Sequence, residues 1–281
     1  MTHSFAAIQQ LLADHDVSPS RALGQNFVAD ANTVRRIARL AGVGPGDRVL
    51  EIGAGLGSLT LALVETGANV TAVELDKYLV PILRTVVGDH DVRVIEGDAM
   101  KLDWPATLGE ASWTLVANLP YNVATPLVMD LLDDVASITT MLVMVQREVG
   151  ERMAAPPGSK IYGAVSVKIA YAATAEVVGI VPPTVFIPKP RVDSALVRIV
   201  RRTTPRVEEV SRAALFSVIE TGFAQRRKML RGALRPLFGD ASEQILLDAE
   251  VDPTARAETL DVLAFGRIAA AAIACGRTLA S

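Results

Sequence analysis

Arg48-Val49-Leu50-Glu51-Ile52-Gly53-Ala54-Gly55-Leu56-Gly57 is the stretch that decides the fold. Its first half reads as a β-strand, and Ser58–Glu65 behind it carries a helical pattern. The glycines between them, Gly53, Gly55 and Gly57, let backbone approach a ligand closely because no Cβ intervenes. The dinucleotide fingerprint G-x-G-x-x-G does not fit. Counted from Gly53 its third glycine falls on Ser58, and from Gly55 on Thr60. The spacing present, E-x-G-x-G-x-G, suits a ligand with no pyrophosphate to seat.

Downstream, strands and helices alternate. Asn69–Val73 is a strand ending at Glu74, and a helix runs from Lys77 to Val87. Val92–Ile95 is a strand ending at Gly97-Asp98, Trp113–Ala117 one ending at Asn118, and Ile138–Val145 a further strand before helical Gln146–Ala154 and Ala164–Ala173. Such alternation predicts a parallel sheet with helices on both faces. Ligands of these sheets lie beyond the carboxyl ends of the strands. A carboxylate at Glu74 can accept from both hydroxyls of a ribose, and one at Asp98 from an adenine amine. Upstream, residues 5–15 form a short helix. Ser20–Val28 is polar and without periodicity, and Asp30 caps a helix whose Val34, Ile37, Ala38 and Ala41 share a face.

Asn118-Leu119-Pro120-Tyr121 ends the fourth strand. An amide oxygen and a backbone carbonyl accept hydrogen bonds from an amine, and an aromatic face stacks on a planar ring. The stretch therefore suits an amino group on a nucleobase. Glu176–Val181 and Val192–Val200 are strand-like, and the loop of about ten residues between them is too short for a parallel crossover, so they are expected to be antiparallel. Beyond Arg201–Arg206 only helices are expected: Val207–Gly222, Arg226–Leu237, Glu243–Glu250 and Leu260–Gly276. The domains are accordingly 1–203 and a small, all-helical 204–281.

The chain has 281 residues, half of them apolar, and a formal net charge of −3. That balance argues against indiscriminate coating of nucleic acid but leaves room for a local basic face. Arg226, Arg227, Lys228, Arg231 and Arg235 are concentrated on the Arg226–Leu237 helix, where Arg227, Arg231 and Arg235, four apart, can line one face; Arg147, Arg152, Lys160, Lys189 and Arg191 are candidates to extend it. In an otherwise acidic chain this concentration points to RNA phosphates. One cysteine and three scattered histidines give no disulfide and no metal-ligand spacing. The N-terminus lacks a signal-peptide pattern, and the apolar run Ile268–Cys275 is far short of the ~18 residues that span a bilayer. A soluble, cytoplasmic protein without metal is the expectation. Cys275, Met141, Met144, Trp104 and Trp113 read as packing residues.

The glycine loop, Glu74 and Asp98 together resemble the class I S-adenosylmethionine-dependent methyltransferases. That resemblance implies a Rossmann-like sheet of order 3-2-1-4-5-7-6 with one antiparallel strand, and S-adenosylmethionine as cofactor. Leu23–Val28 (L-G-Q-N-F-V), Asn118–Asn122 (N-L-P-Y-N), Phe186–Ser194 (F-I-P-K-P-R-V-D-S) and Phe223–Leu230 (F-A-Q-R-R-K-M-L) narrow it. Together they are similar to the small-subunit (16S) ribosomal RNA adenine N6,N6-dimethyltransferases of the KsgA type. The resemblance spans nearly the whole chain. It implies a cofactor site of Gln25, Asn26, Val28, Gly53, Gly55, Glu74, Leu75, Asp98, Ala99 and Asn118. Chemistry would fall to Asn118, Leu119, Pro120, Tyr121 and Phe186, with Tyr121 on one face of the base and Phe186 on the other. RNA would be held by Arg147, Arg226, Arg227, Lys228 and Arg231. The implied substrate is two adjacent adenines of 16S rRNA in the 30S subunit, met by a monomer. Val28 replaces the family's usual leucine and Ala124 a common serine. A large-subunit or DNA adenine methyltransferase, and a non-catalytic assembly or transcription factor on the same fold, are the alternatives.

Overall fold

The computed structural model describes residues 2–225 and 227–279. In chain order its first elements are α1 (Phe5–Asp14), β1 (Phe27–Val28), α2 (Ala31–Ala41), β2 (Arg48–Ile52), α3 (Ser58–Val64), β3 (Asn69–Glu74), α4 (Leu79–Val87), β4 (Val92–Glu96), α5 (Trp104–Leu108), β5 (Trp113–Asn118), α6 (Ala124–Asp134) and β6 (Ile138–Gln146). There follow α7 (Arg147–Met153), α8 (Ala164–Ala172), β7 (Ala173–Val181), β8 (Phe186–Ile187), β9 (Ser194–Arg201), α9 (Arg212–Ala224), α10 (Leu230–Ala233), α11 (Arg235–Phe238), α12 (Ser242–Asp248) and α13 (Val262–Ala274).

Seven strands form the main sheet in the order β4-β3-β2-β5-β6-β9-β7. Numbered within the sheet, this is 3-2-1-4-5-7-6, as expected. The pairs β2–β3, β3–β4, β2–β5 and β5–β6 are parallel and β6–β9 is antiparallel. The central strands are apolar on both faces because helices cover both: Leu115, Val116 and Ala117 of β5 are all buried. Val34, Ile37 and Ala38 of α2 and Leu59, Ala62 and Leu63 of α3 pack with Val49, Val70, Val116 and Leu142. Each such Leu or Ile contributes about 1.5–3 kcal/mol of burial. The Asp30 cap is in place, accepting from the Thr33 N–H at 2.6 Å, and left-handed Gly42 ends α2.

The site's scaffold includes two features the sequence pattern did not reveal. First, β1 and β8 form a separate two-stranded antiparallel ladder, pairing Phe27 with Ile187 and Val28 with Phe186. The Ala29 N–H extends it by donating to the Val185 carbonyl at 2.7 Å. This ties the polar 20–28 stretch to the F-I-P-K-P segment. Second, the Arg201 guanidinium donates to the carbonyls of Leu131, Leu132, Val135 and Ile138 at 2.6–2.9 Å. Those carbonyls end α6 and start β6, so Arg201 satisfies groups that a helix terminus leaves orphaned. The same helix begins just after Tyr121.

The chain divides into two compact units, residues 1–150 with 175–201 and residues 151–174 with 202–281. The helical unit thus takes in 151–174, which the sequence reading placed in the first domain. Its internal packing explains why. Tyr162 is buried, donates to the Leu260 carbonyl at 2.9 Å and meets Phe223 edge-on, and Phe223 packs on Phe265. Within this unit the predicted Arg226–Leu237 helix is not continuous. Residues 227–229 are non-helical, and two four-residue helices, α10 and α11, follow. Pro236 sits in the first turn of α11, where its ring is tolerated; inside one long helix it would clash and remove a hydrogen bond. Helix α9 starts at the Ser211 cap, later than the Val207 expected. Met141, Met144, Trp104 and Trp113 are buried as expected, whereas Cys275 is exposed, because it lies beyond the last turn of α13. Among the described residues no helix is long and apolar enough to cross a membrane.

Candidate active site

A cleft of about 910 Å³, counting the part open to solvent, lies beyond the carboxyl ends of β2, β3, β4 and β5. Gly53 and Gly55 line it from the first strand end, Glu74 and Leu75 from the second, Asp98 and Ala99 from the third, and Asn118, Leu119, Pro120 and Tyr121 from the fourth. Gln25 and Asn26 line it from the segment before β1. Twelve of the residues predicted for cofactor or chemistry therefore meet in one place.

Glu74 organises the glycine loop. Its Oε2 accepts the Gly55 N–H at 2.7 Å and its Oε1 the Asp76 N–H at 2.8 Å. Burial pushes its pKa up, against the pull of these N–H groups. Gly55 has φ +57°, and a Cβ there would lie 3.0 Å from the Phe27 ring, so only glycine lets Phe27 close against the loop. Asp98 accepts from the Met100 N–H at 3.0 Å and pairs with Lys101 at 3.2 Å; the N–H bond and the lysine hold its pKa down. Each carboxylate oxygen has a second lone pair, so both acids can still accept from a ligand.

The Asn118 amide has a defined orientation. Its Nδ2 donates to the Asn26 carbonyl at 2.9 Å, which leaves Oδ1 as the acceptor available to the cleft. The Leu119 N–H donates to the Met144 carbonyl at 3.0 Å, pinning the loop to β6. The Pro120 carbonyl accepts from Val123 and Ala124 and turns the chain into α6. Ala124 is buried at the helix start, where the family's serine would have stood. Gly24, at φ +64°, lets its segment pass the same loop closely: a Cβ there would be 3.1 Å from the Pro120 Cβ.

Three predicted residues are placed differently or lie outside the described chain. Phe186 is 2% exposed and packs in the core with Val28 and Val34, so it does not face the cleft as the second side of a base clamp. The Val28 side chain is likewise in the core, which leaves the backbone contact expected there untouched; it borders a smaller cavity together with Glu51, Ser58 and Asn118. The cause is the β1–β8 pairing, which holds the two side by side and packs both into the core. Arg226 lies outside the described residues. Of the remaining basic candidates, Arg147 is 3.4 Å from Asp193, Arg231 is 3.8 Å from Glu243, and Arg227 and Lys228 are exposed. Arg235, expected on the same helical face, pairs with Asp240 at 2.6 Å.

Sequence reasoning missed three contributors. Asp76 takes the Gln25 side-chain amide at 2.8 Å, while the Gln25 oxygen takes the Ser20 N–H at 2.7 Å; this links the 20–26 segment to the strand carrying Glu74. Trp104 holds the Ala99 carbonyl at 3.2 Å through its indole N–H. Ser194 meets the Tyr121 hydroxyl at 2.9 Å. These bonds span five to 73 positions. Only Asp76, two positions after Glu74, offers a local hint.

Glu51 is fully buried beside the loop and accepts from the Thr60 hydroxyl at 2.6 Å. Burial raises its pKa from the ordinary 4.5 to about 8. Between those values the folded protein holds a proton that the unfolded chain has lost, so this carboxyl lowers stability as pH rises through that window. Glu51→Gln keeps an acceptor for Thr60 and removes the titration. The variant is expected to match the parent near pH 5 and to exceed it at pH 8 in urea denaturation. An identical pH slope in the two proteins contradicts the assignment.

A family model described as ribosomal RNA adenine dimethylase matches residues 18–273. A Cutibacterium acnes protein named ribosomal RNA small subunit methyltransferase A is 47% identical over 283 residues, covering 96% of this chain and 94% of the relative. A Streptomyces coelicolor protein of the same name is 48% identical over 273 residues, covering 94% of each. Among solved structures, the 23S rRNA methyltransferase ErmE aligns with TM-score 0.68 and 26% identity over 87% of this chain and 98% of its own. A dimethyladenosine transferase from Plasmodium falciparum aligns with TM-score 0.73 over 88% and 98%, and at 21% identity it shows the shared fold.

Proposed function

The chain belongs to the ribosomal RNA adenine dimethylase family, and from that premise we propose how its cleft dimethylates the N6 amines of two adjacent adenines in small-subunit (16S) rRNA. The protein is an S-adenosylmethionine-dependent rRNA adenine dimethyltransferase. The observation that carries the residue-level account is the fixed Asn118 amide, which lines the cleft with Nδ2 committed to Asn26 and Oδ1 left as the acceptor.

The residues present fit the donor. Glu74 offers carboxylate lone pairs for ribose hydroxyls, Asp98 an acceptor for an adenine amine, and Gly53 and Gly55 a backbone surface without Cβ atoms. Leu75, half exposed at the cleft, offers an apolar surface to a purine face. When bound, S-adenosylmethionine supplies an electrophilic methyl group to the target amine.

The target amine is a weak nucleophile because its lone pair is delocalised into the ring. Asn118 Oδ1 and the Leu119 carbonyl accept its two N–H bonds and direct the lone pair into the cleft. Pro120 stiffens the turn that holds both acceptors, and Tyr121 stacks on the base. Rate enhancement comes from orientation and from fixed dipoles, not from a strong base. Each transfer would release the donor's sulfur as a neutral thioether and one N–H proton to solvent, so after the first a single N–H remains and one acceptor is released. The base must leave its stack to enter this cleft.

The partner is RNA, and we place it within the 30S subunit, bound by a monomer in the cytoplasm. Arg227, Lys228 and Arg231 supply phosphate contacts and Arg147 a further one. Replacing the first three with Ala is expected to weaken subunit binding and to reduce the slope of log affinity against log salt by roughly 2–3. An unchanged slope removes this segment from the interface.

Transfer of labelled methyl groups to small subunits lacking the modification tests the whole reading, with large subunits, naked rRNA and duplex DNA as controls. Label is expected as dimethyladenosine in the small subunit. Label confined to the large subunit overturns it.

A further inference from the structure

We propose that Ser194 is the positioning residue for Tyr121, and that through this tether it governs how completely the second methyl is added. The inference rests on the adenine-methylation reading above. Ser194 is fully buried at the first residue of β9, in antiparallel register with Gln146 at the last residue of β6. The central sheet therefore fixes where its hydroxyl sits. Tyr121 lines the cleft three positions after β5 ends, and its hydroxyl lies 2.9 Å from the Ser194 Oγ. The ring is thus held at both ends, by its backbone at the turn and by Ser194 at its tip. A tyrosine has only two side-chain torsions, and a bond at the tip restrains the first, which sets where the ring lies; the second turns the ring about an axis that passes through the hydroxyl oxygen.

A fixed ring matters unequally to the two transfers. Unmodified adenine presents two N–H bonds to two acceptors, Asn118 Oδ1 and the Leu119 carbonyl, which over-determine its placement. N6-monomethyladenine presents one, so stacking on Tyr121 carries more of its alignment. A ring released from Ser194 therefore costs the second transfer more than the first. The two hydroxyls bond each other and have no proton-transfer part in the proposed reaction.

Single-turnover assays on undimethylated small subunits test this, with mono- and dimethyladenosine quantified by mass spectrometry. Ser194→Ala is expected to slow the first transfer about fivefold, the worth of one neutral hydrogen bond. It is expected to raise the mono-to-dimethyl ratio on the order of tenfold, since the loss of alignment compounds at the second step. Donor affinity stays unchanged. Tyr121→Phe removes the same bond from the cleft side without emptying a buried site. It is expected to reproduce both effects, and the double variant to add nothing further. A parental ratio in Tyr121→Phe, or additive losses in the double variant, overturns the tether. So does equal slowing of both transfers together with weakened donor binding, the pattern of a merely structural serine. The wild-type product in the same assay keeps the two questions apart: absence of dimethyladenosine there overturns the underlying reading instead.

Discussion

Asn118→Ala is expected to lower single-turnover methyl transfer by roughly 10²–10³, comparable to losing one preorganised polar contact to the reacting group. Donor affinity is expected to stay within about threefold of the parent, since the side chain supplies orientation to the amine and not the main hold on the donor. The argument is geometric. The Asn26 carbonyl takes the amide nitrogen at 2.9 Å, which leaves the oxygen as the acceptor of a side chain that lines the cleft. Asn118→Asp sharpens the test. It keeps an oxygen at the same place but turns the other acceptor toward the Asn26 carbonyl, where two lone-pair-bearing oxygens repel. This variant is expected to be as inactive as the alanine and, unlike it, to loosen the 20–28 segment, read as faster amide hydrogen exchange there. Parental activity in Asn118→Asp refutes the assigned orientation.

Glu74→Ala is the second large effect and has the opposite signature. One carboxylate holds the Gly55 and Asp76 N–H groups at 2.7 and 2.8 Å, and in the proposed reading its remaining lone pairs take the ribose hydroxyls. Its loss removes two charge-assisted bonds from the loop and the ribose contacts. The donor dissociation constant is expected to rise on the order of 100-fold, measured by calorimetry. Transfer at saturating donor is expected to fall far less. Glu74→Gln is not conservative here: its amide has one oxygen for two N–H groups and turns its NH₂ toward the other. It is expected to approach the alanine in severity. An unchanged dissociation constant in both variants confines Glu74 to a structural role.

Much of this site was legible before any coordinates. Strand–helix alternation fixes a parallel sheet, and parallel sheets present their ligands at one set of strand ends. Gly53, Glu74, Asp98 and Asn118 could therefore be gathered from four separate stretches of chain. The structure brings these four to one cleft; their residue types are those expected for a ribose, an adenine amine and a target amine. What escaped had a different physical origin. Phe186 carries the right letter in the right motif, but a two-residue ladder between β1 and β8 packs it into the core. No periodicity exists in two residues. The predicted 226–237 helix scored well on its apolar face, yet Pro236 starts a new helix, and the arginines lose their common face. The second unit reaches back for 151–174 because Tyr162 bonds Leu260, 98 positions away, and a lone aromatic in a loop carries no signal of its partner. The tethers through Ser194 and Asp76 are side-chain bonds of the same long-range kind.

The consequence for mechanism is specific. With Phe186 in the core, the proposed mechanism leaves the base to Tyr121 on one face and to two acceptors at its edge, so alignment would depend on how rigidly Tyr121 and Asn118 are themselves held. Both are held by groups outside the N-L-P-Y stretch: Ser194 for the tyrosine, Asn26 for the asparagine. The second of these couples the two halves of the site. Asn26 belongs to the segment that lines the donor side of the cleft, and its carbonyl orients the amide that receives the target amine.

A crystal structure with adenosine and S-adenosylhomocysteine measures this arrangement most directly. The account predicts the adenosine N6 within about 3 Å of Asn118 Oδ1, the Asn118 Nδ2 still on the Asn26 carbonyl, and the base stacked on Tyr121. An N6 amine directed away from Asn118, or an Asn118 amide turned so that its nitrogen meets the adenosine, contradicts it.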